Sequence, residues 1–410
     1  MSNCFGAANI LLPDFNSIAG EKWAVVACDQ FTSQPEYWEK AREQIGNEPS
    51  TLDLILPESF LDRQDELLPL ISKSMEDYSE SVLKEYNNTY IFVERVQSDG
   101  KVRRGLVGAV DLECYDWHAG SNSFVRATEG TVPERIPPRV SIRRCASIEL
   151  PHIMLLIDDV KKQVIESLSE KKNTLKPAYD FPLMLGGGHI KGWFVDGEDA
   201  ADIDAKMEAL FASQGAMHIA VGDGNHSLAT AKTIYEQLKV DIGEEQAKIH
   251  PARYALAELV NIHDEALEFE PIYRIVAGVN AEKLVSEFKE YIGSLKGEAP
   301  SQKIEIIIGN CKETVVVESP ESRLAVGTLQ KFLDQYVKQD TQCEVDYIHG
   351  ERNVEMLAQK PNSVGFLFEG MTKAELFPSV ISDGSLPRKT FSMGHAEDKR
   401  YYIEARKIIL

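Results

Sequence analysis

The stretch Met217-His-Ile-Ala-Val-Gly-Asp-Gly-Asn-His-Ser-Leu-Ala-Thr-Ala-Lys232 decides how this chain is read. An apolar run ends abruptly at Gly222, and a helix-forming run begins near Ser227. The pattern predicts a strand over 217–221, a tight turn, and a helix over 227–239. Gly222 and Gly224 allow backbone angles closed to other residues, so the turn can be sharp. Asn225 or Ser227 is expected to cap the helix, with first-turn N–H groups aimed into the turn. Such a terminus favours an anion, phosphate above all. Asp223 is then the expected ligand of a divalent cation, and His226 the expected donor to a phosphate oxygen or carrier of a proton. An ordinary strand–turn–helix junction uses the same residue types, so spacing alone leaves both readings open.

Length and composition set the outer bounds. A chain of 410 residues with 43% hydrophobic residues accommodates two or three domains with real cores. No apolar run approaches the ~20 residues that span a bilayer. The opening Met1-Ser-Asn-Cys-Phe-Gly6 lacks the basic and apolar regions of a signal peptide. The six cysteines are scattered without a C-x-x-C pair. Together these features predict a reduced, cytoplasmic protein with no membrane partner. A net charge of −21 argues against a nucleic-acid partner, because phosphate backbones are held mainly by Lys and Arg. One small anion is still compatible with that charge. Cations do cluster locally, at Arg126, Arg135, Arg139, Arg143 and Arg144, and again at Arg388 and Lys389.

Outward from the central stretch, strands are expected at 23–27, 52–56, 152–157, 193–195 and 253–262. A hairpin is expected from 89–93 and 106–110 through Ser98-Asp-Gly-Lys101. Helical patterns cover 35–45, 60–86, 159–171 and 200–213. Gly186-Gly-Gly-His189 matches neither G-x-x-x-x-G-K-[ST] nor G-x-G-x-x-G and reads as a flexible hairpin. The pattern changes near Phe269. Helices at 281–292 and 326–337 and strands at 304–308, 313–317 and 364–368 form a C-terminal unit, and 383–390 reads as a polar turn. The expected architecture is mixed α/β (α+β).

Several segments together resemble the family known as domain of unknown function 1015. They are Val26-Ala27 with Asp29, Pro49-Ser50, Pro57-Glu58, Arg126-Ala-Thr-Glu-Gly-Thr-Val-Pro133, Asp223-Gly-Asn-His-Ser227 with Thr230-Ala231, Pro271-Ile-Tyr-Arg274 and Leu386-Pro-Arg-Lys-Thr390. The family string Asp-Gly-His-His-Arg is similar to that of ParB/sulfiredoxin-like proteins, which include kinases acting on free serine. Asn225 and Ser227 depart from that string. The resemblance implies a ParB/sulfiredoxin-like core over 89–270, an N-terminal α/β segment over 1–88 and a C-terminal α/β unit over 271–410.

It further implies a phosphotransferase acting on a small hydroxyl acceptor, free L-serine first, with pyrophosphate or a nucleotide as donor and Mg2+ or another divalent cation. A non-catalytic nucleotide- or metabolite-binding regulator of ParB-like type is the alternative. The expected partners are therefore a small-molecule substrate and a phosphate donor. Glu129, Asp223 and His226 are the expected catalytic groups, with Asp223 also on the metal. Gly224, Asn225, Ser227, Arg126, Arg274, Arg388 and Lys389 are expected to hold phosphate, and Asp29, Thr32, Ser33 and Thr131 the substrate. The loops 28–33, 126–131, 223–227 and 386–390 are expected to converge.

Overall fold

The computed structural model describes residues 4–118, 120–340, 342–394 and 396–409. Helices and strands alternate in a mixed α/β architecture. The chain forms two compact units: a larger one of Met1–Ala127, Thr131–Leu267 and Gly394–Leu410, and a smaller one of Thr128–Gly130 and Glu268–Met393.

A long mixed sheet runs through the larger unit. Its strands lie in the order Lys176–Pro182, His189–Val195, Leu83–Val96, Val102–Asp111, Tyr254–Asn261, Met154–Ile157, Ile219–Asp223, Val125–Ala127, Tyr115–Asp116. Its central strands are apolar without alternation because both faces are covered. Tyr90 and Phe92 join one cluster with Leu155, Ile219, Val221, Leu228 and Tyr235, whereas Ile91 and Val93 join the other with Trp23, Trp38, Tyr401 and Tyr402. In the smaller unit the sheet order is Cys311–Val317, Gln302–Ile308, Ser363–Phe368, Phe269–Ala277, Glu344–His349, with Phe391–Met393 pairing the start of Phe269–Ala277.

The predicted hairpin exists, built from Leu83–Val96 and Val102–Asp111. The triple glycine joins the paired strands Lys176–Pro182 and His189–Val195. Other expectations are corrected. Residues 52–56 form no strand, because Ser50 Oγ accepts the Leu52 N–H at 3.3 Å and starts a 3-10 turn, Thr51–Asp53. The helix expected at 159–171 shrinks to Ser167–Lys171. There the Asp159 carboxylate takes the amides of Gln163 (2.7 Å) and Val164 (2.8 Å), and Lys162 adopts φ 55°. The helix expected over 60–86 ends at Ser81, and the chain turns into the long strand at Leu83. Most of 23–27 is likewise no strand: Gly20–Trp23 makes a helical turn, and Val25–Val26 alone pairs, with Tyr401–Tyr402.

The last pairing belongs to a segment that carries no sequence signal. Residues 396–409 run back through the larger unit, held by buried charges. Arg95 donates to the carbonyls of Lys399 and Glu397, each at 2.5 Å, and Arg103 to that of Asp398 at 3.0 Å. Glu258, 1% exposed, takes Arg400 at 2.9 Å and faces Arg103 at 3.5 Å. Gly105 makes room for it, since a Cβ there would lie 2.3 Å from Glu258 Oε1.

Burial alone would raise the Glu258 carboxyl, but Arg103, Arg400 and Arg95 outweigh it and lower the pKa below the ordinary 4.5. Glu149 is lowered likewise, its burial outweighed by Arg406 and Arg143. The unfolded chain therefore binds more protons in acid, so this stability is complete above 4.5 and is lost as pH falls through the folded values. Thermal melts should be level above about pH 5 and drop steeply below that range. Glu258→Gln, which leaves Arg103 without its carboxylate and Arg400 with Glu404 alone, should cost about 3–5 kcal/mol at pH 7 and make the acid drop shallower.

Candidate functional site

The central stretch folds into strand Ile219–Asp223 and helix Asn225–Ile242. The helix begins before Ser227, and neither Asn225 nor Ser227 caps it. The N-cap is Gly224, in the left-handed region at φ 78°, with no side-chain cap bond. An added Cβ at Gly224 would lie 3.0 Å from Ile153 Cα, so geometry and space both call for glycine. Leu228, Ala231 and Tyr235 anchor the helix in the core and leave its N-terminus at the turn.

Asp223 accepts the Gly224 amide at 2.9 Å through Oδ1 and an ammonium, Lys399 Nζ, at 3.0 Å through Oδ2. Burial would raise the Asp223 carboxyl, but Lys399, then His152 and the Gly224 amide, outweigh it and lower the pKa. Lys399 is raised in turn: burial opposes its charge, and Asp223 and Asp29 more than restore it. The pair is ionised.

His226 behaves differently. Burial, then the charges of Arg139 and Arg135, push its pKa down to about 4. Its Nε2 accepts the Val132 amide at 3.3 Å, which leaves the proton on Nδ1. At neutral pH it is an uncharged donor.

A second histidine stands behind the turn. His152 Nε2 lies 3.2 Å from Ser227 Oγ and 4.0 Å from Asp29 Oδ2, and its Nδ1 is 2.8 Å from the Tyr402 hydroxyl. Tyr402 also accepts the Cys28 amide at 3.2 Å. The Cys28 thiol, pushed up to about 12 by burial and then by Asp29, stays protonated and unreactive. Asn225 Oδ1 and Thr131 Oγ1, buried near the turn, have no hydrogen-bond partner among the described residues. Thr32 and Ser33 are exposed in the loop after Asp29.

In the larger unit, therefore, the loops carrying Asp29 and Asp223 come together. Arg126 is not spare at this site: it donates to the carbonyls of Ser123 and Ala216, each at 2.7 Å. Arg139 is paired with Glu58.

The other expected residues gather in the smaller unit. Glu129 forms a bridge with Leu386, and the Leu386 amide donates to the Thr128 carbonyl at 2.7 Å. Arg274 is fully buried, bonded to Gln330 Oε1 at 2.7 Å and to the carbonyls of Ile272, Lys389 and Arg388. Burial lowers its pKa to about 10 against the opposing pull of Tyr347, Asp334 and Glu129. The Tyr347 ring lies 4.5 Å from the Arg274 guanidinium and 5.4 Å from Lys389 Nζ. A cavity of about 360 Å³ in this unit is lined by Gly130, Gln330, Lys331, Asp334, Tyr347 and Arg388, among others.

Sequence reasoning missed Lys399, His152 and Tyr402. Lys399 and Tyr402 lie in the unsignalled C-terminal segment, and a lone histidine before a strand is no signal by itself.

The family model described as protein of unknown function (DUF1015) matches residues 14–376. The chain belongs to that family. No curated protein matches it. Solved structures similar to this DUF1015 chain include a free serine kinase variant in complex with ADP, 12% identical at a TM-score of 0.40, covering 75% of this chain and 93% of that one. A C-terminally truncated SbnI from Staphylococcus aureus is 11% identical at 0.36, covering 70% and 82%. A conserved hypothetical protein from Pyrococcus furiosus is 12% identical at 0.35, covering 75% and 96%. At this distance, neither ligands nor activities transfer from those proteins to the DUF1015 chain. Its described residues contain no helix long and apolar enough to cross a membrane.

The state of His226 is open to direct measurement. In an NMR titration of the imidazole nitrogens it should stay neutral, with the proton on Nδ1, down to about pH 5 and titrate near 4. A midpoint above 6 contradicts the burial and arginine effects described here.

Proposed function

We propose that this chain is a phosphotransferase moving a phosphoryl group to a small hydroxyl acceptor. The turn supports the reading: an ionised Asp223–Lys399 pair and a neutral His226 at the start of an 18-residue helix. First-turn amides have no acceptor within a helix, so an anion there gains hydrogen bonds and the dipole together. Asn225 adds a side-chain amide, whose two ends interchange by rotation, to the same place. The donor is pyrophosphate or a nucleotide, and free L-serine is the first acceptor to test, on the family resemblance alone.

Phosphoryl transfer needs positioning and charge neutralisation more than covalent help from the protein. The acceptor oxygen attacks phosphorus, the bond to the leaving phosphate or nucleotide breaks, and the hydroxyl proton passes to a carboxylate. His226 Nδ1–H is a neutral donor for a phosphate oxygen. No cluster of three or more His, Cys, Asp or Glu among the described residues forms a metal cage. Mg2+ would instead be held by one carboxylate, Asp223, and would supply charge neutralisation to the phosphates.

Two carboxylates compete for the role of base. Glu129 is the one the sequence points to, and Asp29 is the one beside His152 in the same unit as the turn. Incubation with serine, Mg2+ and either pyrophosphate or a nucleotide, assayed for phosphoserine, tests the reading as a whole. Replacing the true base, by Glu129→Gln or Asp29→Asn, should cut turnover by roughly 10²–10⁴-fold with the melting temperature kept. Asp223→Asn should weaken both turnover and Mg2+-dependent donor binding. Absence of phosphoserine with every donor sinks the serine assignment, and normal turnover in both base variants sinks both base assignments.

A further inference from the structure

The stretch Gly222–Ser227 contributes a carboxylate and, at neutral pH, no cation. A phosphate entering the turn meets the like charge of Asp223 unless a cation shares the site. The geometry points to Lys399 as that cation: its ammonium rests on Asp223 until a phosphate arrives and then binds the phosphate oxygens directly. This inference deepens the phosphate reading of the turn and rests on it.

Three observations carry it. An ammonium has three protons to donate, and Asp223 is the one hydrogen-bond partner of Lys399 Nζ among the described residues. Lys399 is also presented on a rigid backbone. Its carbonyl and that of Glu397 are held by Arg95, the carbonyl of Asp398 is held by Arg103, and the Asp398 side chain takes the Ser98 amide and hydroxyl at 2.8 and 2.9 Å. Little freedom remains to be lost when the ammonium engages a ligand.

Three arginines of the same unit, finally, are committed elsewhere. Arg139 is paired with Glu58, Arg126 donates to two carbonyls, and Arg103 faces Glu258. A lysine with its side chain 21% exposed, bonded to a single carboxylate, is a donor able to change partner.

The test is calorimetric titration of the full chain with inorganic pyrophosphate and with phosphate, without added metal. Lys399→Met should weaken pyrophosphate binding roughly ten- to a hundredfold, the worth of a charge-assisted hydrogen bond. Lys399→Arg should recover most of the loss. The double variant Lys399→Met/Asp223→Asn should stay weak, because the direct contact is missing although the like charge is gone. Asp223→Asn alone should bind metal-free pyrophosphate at least as tightly as the parent, which tests the idea even if Lys399→Met fails to fold.

Full binding by Lys399→Met overturns the inference. So does recovery in the double variant, which would make Lys399 a mere counter-ion of Asp223, or a tenfold loss in Asp223→Asn. A parent chain that binds neither anion overturns the phosphate reading itself, a failure distinct from these.

Discussion

The larger unit depends on how its interior accommodates charge. Glu258 sits between Arg103 and Arg400, in space left by a glycine, and Arg95 beside them donates to three backbone carbonyls. Buried ions of this kind contribute little net stability compared with apolar packing, but removing one partner is severe. Their use here is positional. They pin residues 396–409 across a sheet whose strands all come earlier in the chain, and no apolar stripe could fix that path residue by residue.

The site inherits this precision. Lys399 reaches Asp223 only because Arg95 and Arg103 hold the carbonyls on either side of it. Tyr402, three residues on, reaches His152, and the Tyr401–Tyr402 strand packs against Val25–Val26, just before Cys28 and Asp29. One pinned segment thus organises the surroundings of both carboxylates, Asp29 and Asp223. The turn has two electrostatic halves: an ionised pair at Asp223, and a neutral donor at His226 whose charge is suppressed by burial and two arginines.

The smaller unit solves a related problem differently. Arg274 is buried among carbonyls and an amide oxygen rather than against a carboxylate, and its pKa falls to about 10 while it remains charged at neutral pH. Gln330 passes its hydrogen bonding on to Asp334, 2.8 Å away at the cavity wall, so the buried guanidinium is tied to the residues that line the cavity.

The sequence by itself determined what local chemistry decides. The string Gly222-Asp223-Gly224 marks a sharp junction between an apolar strand and a helix, although the strand runs on through Asp223 and the left-handed Gly224 alone makes the turn. The hairpin around Asp99-Gly100 and the mixed α/β class follow from equally local patterns. Local bonds also explain where reading failed, because Ser50 and Asp159 capture amides that the apolar periodicity had assigned to a strand and a helix. The helix cap was misplaced because a left-handed glycine does the work of a side chain. Only the tertiary structure decided the partners of the site. Lys399 and Asp223 are 176 residues apart and His152 and Tyr402 are 250 apart, and nothing in either neighbourhood encodes the other. Their meeting is set by buried ion pairs and strand register, both properties of the folded chain rather than of any stretch of it.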